Sequence, residues 1–84
     1  MTKFAERLIQ LKNERNLLQK DIAAALGLSL RTYQYYEKGQ MEPTLSNIIK
    51  LSQFFHVSSD WLLGLSDDRI NNEEAAAMEE PQVI

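Results

Sequence analysis

Apolar residues recur at helical spacing almost from the start of this chain. Phe4, Leu8 and Leu11 stand at i, i+4 and i+7, while Lys3, Glu6, Arg7 and Gln10 lie mostly off that stripe. The pattern predicts a first helix, capped by Thr2 and running to about Arg15. Asn16 tolerates the left-handed backbone that stops a helix, and Leu17-Leu18 make a short apolar link. A second helix over about 19–26 places Ile22, Ala23 and Leu26 on one side, and Gly27 follows where the chain must turn. Ser29 is a suitable cap for a third helix, from Leu30 to about Lys38, with Gly39 at its end.

Beyond a loop closed by Pro43, Thr44 can cap a fourth helix over about 45–55. Leu45, Ile48, Ser52 and Phe55 share one face of it, broadened by Ile49 and Leu51. After the His56-Val57 connection, Ser58 or Ser59 caps a short fifth helix containing Asp60, Trp61, Leu62 and Leu63, ended by Gly64. No run alternates at period two and no Asn-Gly or Asp-Gly turn occurs, so no strand is predicted. The expectation is an all-α fold: five short helices forming one domain over residues 1–65, with a flexible tail over 66–84.

Composition sharpens this division. The chain carries a net charge of −3, yet residues 1–64 hold eight Lys or Arg against six Asp or Glu, and residues 65–84 hold Arg69 against six acids. The body is therefore mildly basic and the tail acidic, which matters more for partners than the total does. Cysteine is absent, so neither a disulfide framework nor a thiolate metal site is available. Charges run throughout the first fifteen residues, and no later stretch approaches the roughly 18 apolar residues of a membrane span. A cytoplasmic protein is expected, with no membrane partner.

The chain's most specific stretch is QKDIAAALGLSLRTYQYYEKG, residues 19–39. Two short helices flank Gly27, a small Ala23 stands where they would cross, and Ile22, Leu26, Leu28, Tyr33 and Tyr36 can fix both to a core. With Gln19, Ser29, Glu37 and Gly39 in register, it resembles the phage-repressor-type helix-turn-helix family that includes the Cro, lambda and 434 repressors. The similarity continues through Pro43 and Leu45 to VSSDWLLG at 57–64, covering about residues 4–65. It implies a lambda-repressor-like domain whose helix-turn-helix is formed by helices two and three.

At about 100° per residue, Tyr33 and Tyr36 of the third helix point inward, whereas Arg31, Gln34, Tyr35 and Lys38 gather on the opposite side with Leu30 at its edge. Arg can bond O6 and N7 of guanine, Gln can bond adenine, and Leu30 can meet a thymine methyl. The family register places its base-reading positions on Leu30, Arg31, Gln34 and Tyr35, in agreement with the wheel. Gln19, Thr32 and Lys38 match positions that contact phosphate in relatives, and free N–H groups at the start of helix two attract an anion independently of that register. Two departures stand out. Leu18 replaces the usual capping residue, and Lys12 stands where relatives put an Arg opposite Glu37, so that pair would be monodentate.

Plainer roles suit other residues. Tyr33 and Tyr36 are expected in the core with hydroxyls at its rim, Trp61 in packing, His56 at a helix end, and Glu73, Glu74, Glu79 and Glu80 in a solvated tail. No phosphate loop, metal-ligand spacing or nucleophile–base grouping occurs, so neither an enzyme nor a cofactor is expected. The expected function is sequence-specific transcriptional regulation, as a repressor, by a homodimer on a two-fold symmetric operator in double-stranded DNA. Val57, Leu63 and Leu65 are its candidate dimer seam. The competing expectation is a protein-interaction module, such as an antitoxin or antagonist, engaging a partner through the acidic tail.

Overall fold

The computed structural model describes residues 2–69. Its helices are α1 (Thr2–Glu14), α2 (Gln19–Leu26), α3 (Leu30–Glu37), α4 (Leu45–Phe55) and α5 (Ser59–Leu62), and no strand occurs among the described residues. Three of the helix starts are fixed by hydroxyl caps. Ser29 accepts from the Thr32 amide at 3.0 Å, Thr44 from Asn47 at 3.1 Å and Ser58, rather than Ser59, from Trp61 at 3.0 Å. Leu18 has no oxygen to offer α2, and Asp21 compensates by accepting from the Leu18 amide at 3.2 Å. Its carboxylate also sits in the first turn, where the helix dipole favours a negative charge.

Gly27 turns α2 into α3 at φ +70°, and the Leu28 amide closes the turn on the Ala23 carbonyl at 2.9 Å. A Cβ at Gly27 would meet nothing within 4 Å, so glycine is favoured there by backbone conformation and not by space. α1 packs on α3 and α5, α2 on α3 and α4, and α4 on α5. Phe4, Leu8, Leu11, Ile22, Tyr33, Tyr36, Leu51, Phe55 and Leu62 are fully buried between them. Phe4 meets Tyr36 edge-on with ring centroids 5.7 Å apart. Asn47 donates to the Tyr36 hydroxyl at 2.8 Å, joining α4 to α3. Arg15 closes the far end, donating to the Phe55 carbonyl as α4 turns away through left-handed His56.

The inward face of α4 differs from expectation. Leu51 and Phe55 are buried and Ile48 is half-buried, but Leu45 is 74% exposed and Ile49 46%. Apolar residues surround so much of this helix that its pattern alone could not select the core side. Val57 is likewise corrected: at 6% exposure it belongs to the core and presents no surface to a second copy. Leu63 is half-buried against that core, and Leu65 stands in solvent.

The packed unit also extends beyond residue 65. Arg69 donates to both carboxylate oxygens of Glu14, at 2.9 and 3.2 Å, and its guanidinium lies 4.8 Å from the Trp61 ring centroid. Arg7 covers the same ring at 4.5 Å and donates to the carbonyls of Trp61 and Ser66. Ser58 receives the segment through its amide to the Arg69 carbonyl and its hydroxyl to the Asp68 carbonyl. Residues 66–69 are thus a strap on α1 and α5 and not the start of a free tail. The acidic pairs at 73–74 and 79–80 lie outside the described residues.

Two measurements check this packing. Ala23 is 3% exposed on the buried face of α2, so Ala23→Glu should cost about 3 kcal/mol or more and lower Tm by more than about 12 °C in thermal melts. Glu14, held below its ordinary pKa of 4.5 chiefly by Arg69 and then by Gln10, contributes stability that is present above that pH and lost as pH falls below it. The small Tm advantage of the native chain over Glu14→Gln at pH 7 should therefore vanish toward pH 3.

Candidate nucleic-acid interface

The outward side of α3 carries the residues predicted to read DNA. Leu30 is 43% exposed and Arg31 is exposed, while Gln34 and Tyr35 are half-exposed. Arg31 Nε donates to the Tyr35 hydroxyl at 2.9 Å, and its guanidinium lies 5.6 Å from that ring's centroid. The two side chains, one helical turn apart, hold each other against the helix surface, and no carboxylate among the described residues pairs with Arg31. Its terminal amino groups are thus available to a base or phosphate. Lys38 is exposed at the end of the helix, and Thr32 receives a hydrogen bond from the Ser29 hydroxyl at 2.9 Å.

Beneath this face lies a polar network in a mostly apolar interior. The Glu37 side chain is only 7% exposed and accepts at Oε1 from Lys12 Nζ of α1 and from Gln19 Nε2 of α2, each at 3.0 Å. Gln19 in turn accepts at Oε1 from Gln34 Nε2 at 3.2 Å. The expected Lys12–Glu37 pair is present and is single-pronged, as the shape of an ammonium dictates. Its link onward to Gln19 and Gln34 carries no local sequence signature, since the four residues are spread over positions 12 to 37. The available hint was that Glu37 stands four residues after the inward Tyr33, on the core side of α3.

The other Glu37 oxygen, Oε2, and the Tyr33 hydroxyl are buried without a partner of normal geometry. The Tyr33 hydroxyl does not reach the rim, contrary to expectation, and is enclosed beside Glu37. Burial first, and then the neighbouring carboxylate, push its pKa well above the ordinary 10. The phenol stays neutral in the folded domain, so stability should fall as pH rises past the value at which the unfolded chain's tyrosine ionises.

Gln19, half-buried, opens α2, and its hydrogen bond from Gln34 sets that first turn, with its free N–H groups, beside α3. An open groove of about 530 Å³ runs alongside, with Leu18, Lys20 and Leu30 on its walls. Lys20 brings a further positive charge to this edge.

A helix, a glycine turn and a second helix with an exposed polar face, braced by α1, define a helix-turn-helix domain. A family model described as helix-turn-helix matches residues 8–62, and the chain belongs to that family. Among its relatives, the uncharacterized HTH-type transcriptional regulator YqaE of Bacillus subtilis is 34% identical over 73 residues, covering 86% of this chain and 63% of that protein. The cryptic phage CTXphi transcriptional repressor RstR of Vibrio cholerae is 33% identical over 70 residues, covering 83% of this chain and 63% of the repressor. A crystal structure of a transcriptional regulator from Listeria innocua superposes with a TM-score of 0.71 at 35% identity, covering 89% of this chain and 70% of that one. The chain thus spans about 63% of the length of these curated relatives.

The buried ion pair yields a quantitative expectation. Lys12→Met leaves Glu37 without its cation and should cost about 2–4 kcal/mol in urea denaturation, whereas Lys12→Met with Glu37→Leu should recover most of that loss.

Proposed function

We propose that this protein is a DNA-binding transcriptional regulator, a repressor, that inserts α3 into the major groove. The observation that carries this reading is the exposed, uncompensated Arg31–Tyr35 pair on a helix whose opposite face is fixed in the core by Tyr33 and Tyr36. A structural helix has no need of such a pair; a base-reading one does. Leu30, Arg31, Gln34 and Tyr35 are assigned to base edges, and Gln19, Thr32 and Lys38 to phosphates. The names of the relatives, transcriptional regulators and a phage repressor among them, agree in kind.

One helix offers only a few base contacts, each contributing about 1–3 kcal/mol of discrimination. Useful specificity therefore calls for two copies on a two-fold symmetric operator, with half-sites about one helical turn apart. Leu65, 76% exposed, with half-buried Leu63 beside it, is the part of the C-terminal surface left to carry a homodimer seam once Val57 is assigned to the core. Such a protein works in the cytoplasm on the nucleoid. The alternative of a protein-interaction module rests on the acidic residues beyond 69, outside the described structure.

Selection of bound duplexes from a random DNA pool tests the proposal. It should return one short motif, repeated about a two-fold axis, with affinity falling as salt rises. Recovery of no motif, or binding indifferent to salt, would remove the reading. Arg31→Ala should cost about 1–3 kcal/mol at one base pair of the selected site, in competition assays against single-base variants. An equal loss on every sequence would move Arg31 to the phosphate backbone.

A further inference from the structure

The network under α3 has a direction, and the direction is set by chemistry. A carboxylate only accepts hydrogen bonds. At Glu37 it must therefore meet the Nε2 end of the Gln19 amide, and the 3.0 Å contact is of that kind. Gln19 is then left with its Oε1 toward α3, where only a donor can satisfy it, and Gln34 supplies Nε2 at 3.2 Å. The negative charge on Glu37, itself anchored by Lys12, thus decides which way round two successive amides sit.

For Gln34 the consequence is selective. Of its two amide protons, one is committed to Gln19; the carbonyl oxygen and the other proton remain for the outer face. Adenine offers one donor at N6 and one acceptor at N7, which matches that remaining pair. Guanine presents two acceptors, O6 and N7, and would need both protons. Cytosine offers a donor alone and thymine an acceptor alone, leaving one end of the amide unmatched. We propose that Glu37 is a positioning residue for base readout: acting through Gln19, it fixes the Gln34 amide in the orientation that reads adenine. The proposal rests on the reading of α3 as the base-contacting helix.

The test compares the native chain with Gln34→Ala, Gln19→Met and the pair Lys12→Met with Glu37→Leu on the selected duplex. The reference panel replaces each base pair of a half-site in turn. Gln19→Met interrupts the relay while leaving the Lys12–Glu37 ion pair in place, so it serves if the double variant folds poorly. The native chain should prefer adenine by about fivefold or more at the base pair that Gln34→Ala renders indifferent. In Gln19→Met and in Lys12→Met with Glu37→Leu, which removes the acceptor that orients Gln19, that preference should fall below about twofold, with the other base pairs discriminated as before. A preference for another base at that position overturns the proposal, as does adenine preference retained by Gln19→Met or by folded Lys12→Met with Glu37→Leu. A Gln34→Ala variant with unaltered base preferences also overturns it, while leaving DNA binding by α3 intact. Failure of the native chain to select any motif would instead remove the underlying reading, and the proposal with it.

A second readout needs no DNA. One Gln34 side-chain amide proton should exchange slowly with solvent in the native chain and rapidly in Gln19→Met. Equal, fast exchange in both would show that the relay does not hold the amide.

Discussion

The buried carboxylate of Glu37 is the constraint around which the helix-turn-helix is arranged. Taking a charge out of water is costly unless it is paired and hydrogen-bonded. Glu37 is paired and hydrogen-bonded through Oε1, on which Lys12 of α1 and Gln19 of α2 converge. Three helices are thereby set in one mutual arrangement, with α3 held at a fixed rotation. An apolar residue at 37 could be accommodated by several small rotations of α3, whereas a carboxylate with two directional partners admits few. The face that rotation exposes is the one carrying Arg31, Gln34 and Tyr35.

A second set of charges works at the other end of the molecule. Trp61 is clasped between Arg7 and Arg69, and the carbonyls of Trp61 and Ser66 are met by the same Arg7. In a domain with so small a core, a buried tryptophan covered by two guanidiniums adds burial that five short helices could not supply alone. The strap holds residues 66–69 against α1 and the start of α5.

The fold was largely legible because each helix carries its own punctuation. Ser29, Thr44 and Ser58 cap, Gly27 turns, and Ile22, Tyr33 and Tyr36 fall at the spacing that buries them. α4 was less legible, since Leu45 and Ile49 are as apolar as the Leu51 and Phe55 that are buried, and hydrophobicity ranks them alike. Val57 was misplaced for a related reason: an apolar residue beside a helix end can turn inward or outward, and only the packing of α4 on α5 decides. At the candidate site the residue types and the Lys12–Glu37 pair were readable, but the full network was not. Arg31 stacked on Tyr35 is implied by the i, i+4 spacing, while the relay from Glu37 through Gln19 to Gln34 crosses from α3 to α2 and back and depends on three-dimensional closure. The role of Arg69 was hidden by the acidic, polar composition of residues 66–84, which gives no sign that the first four of them fold back.

The most direct measurement of the central claim is a nuclear magnetic resonance titration of the uniformly labelled chain with its selected duplex. Backbone and side-chain shifts should concentrate on Leu30, Arg31, Gln34 and Tyr35 of α3 and on Gln19 at the start of α2, with the buried face at Tyr33 and Tyr36 little altered. Shifts gathered instead on the exposed Leu45 and Ile49 side of α4, with α3 unmoved, would contradict the account.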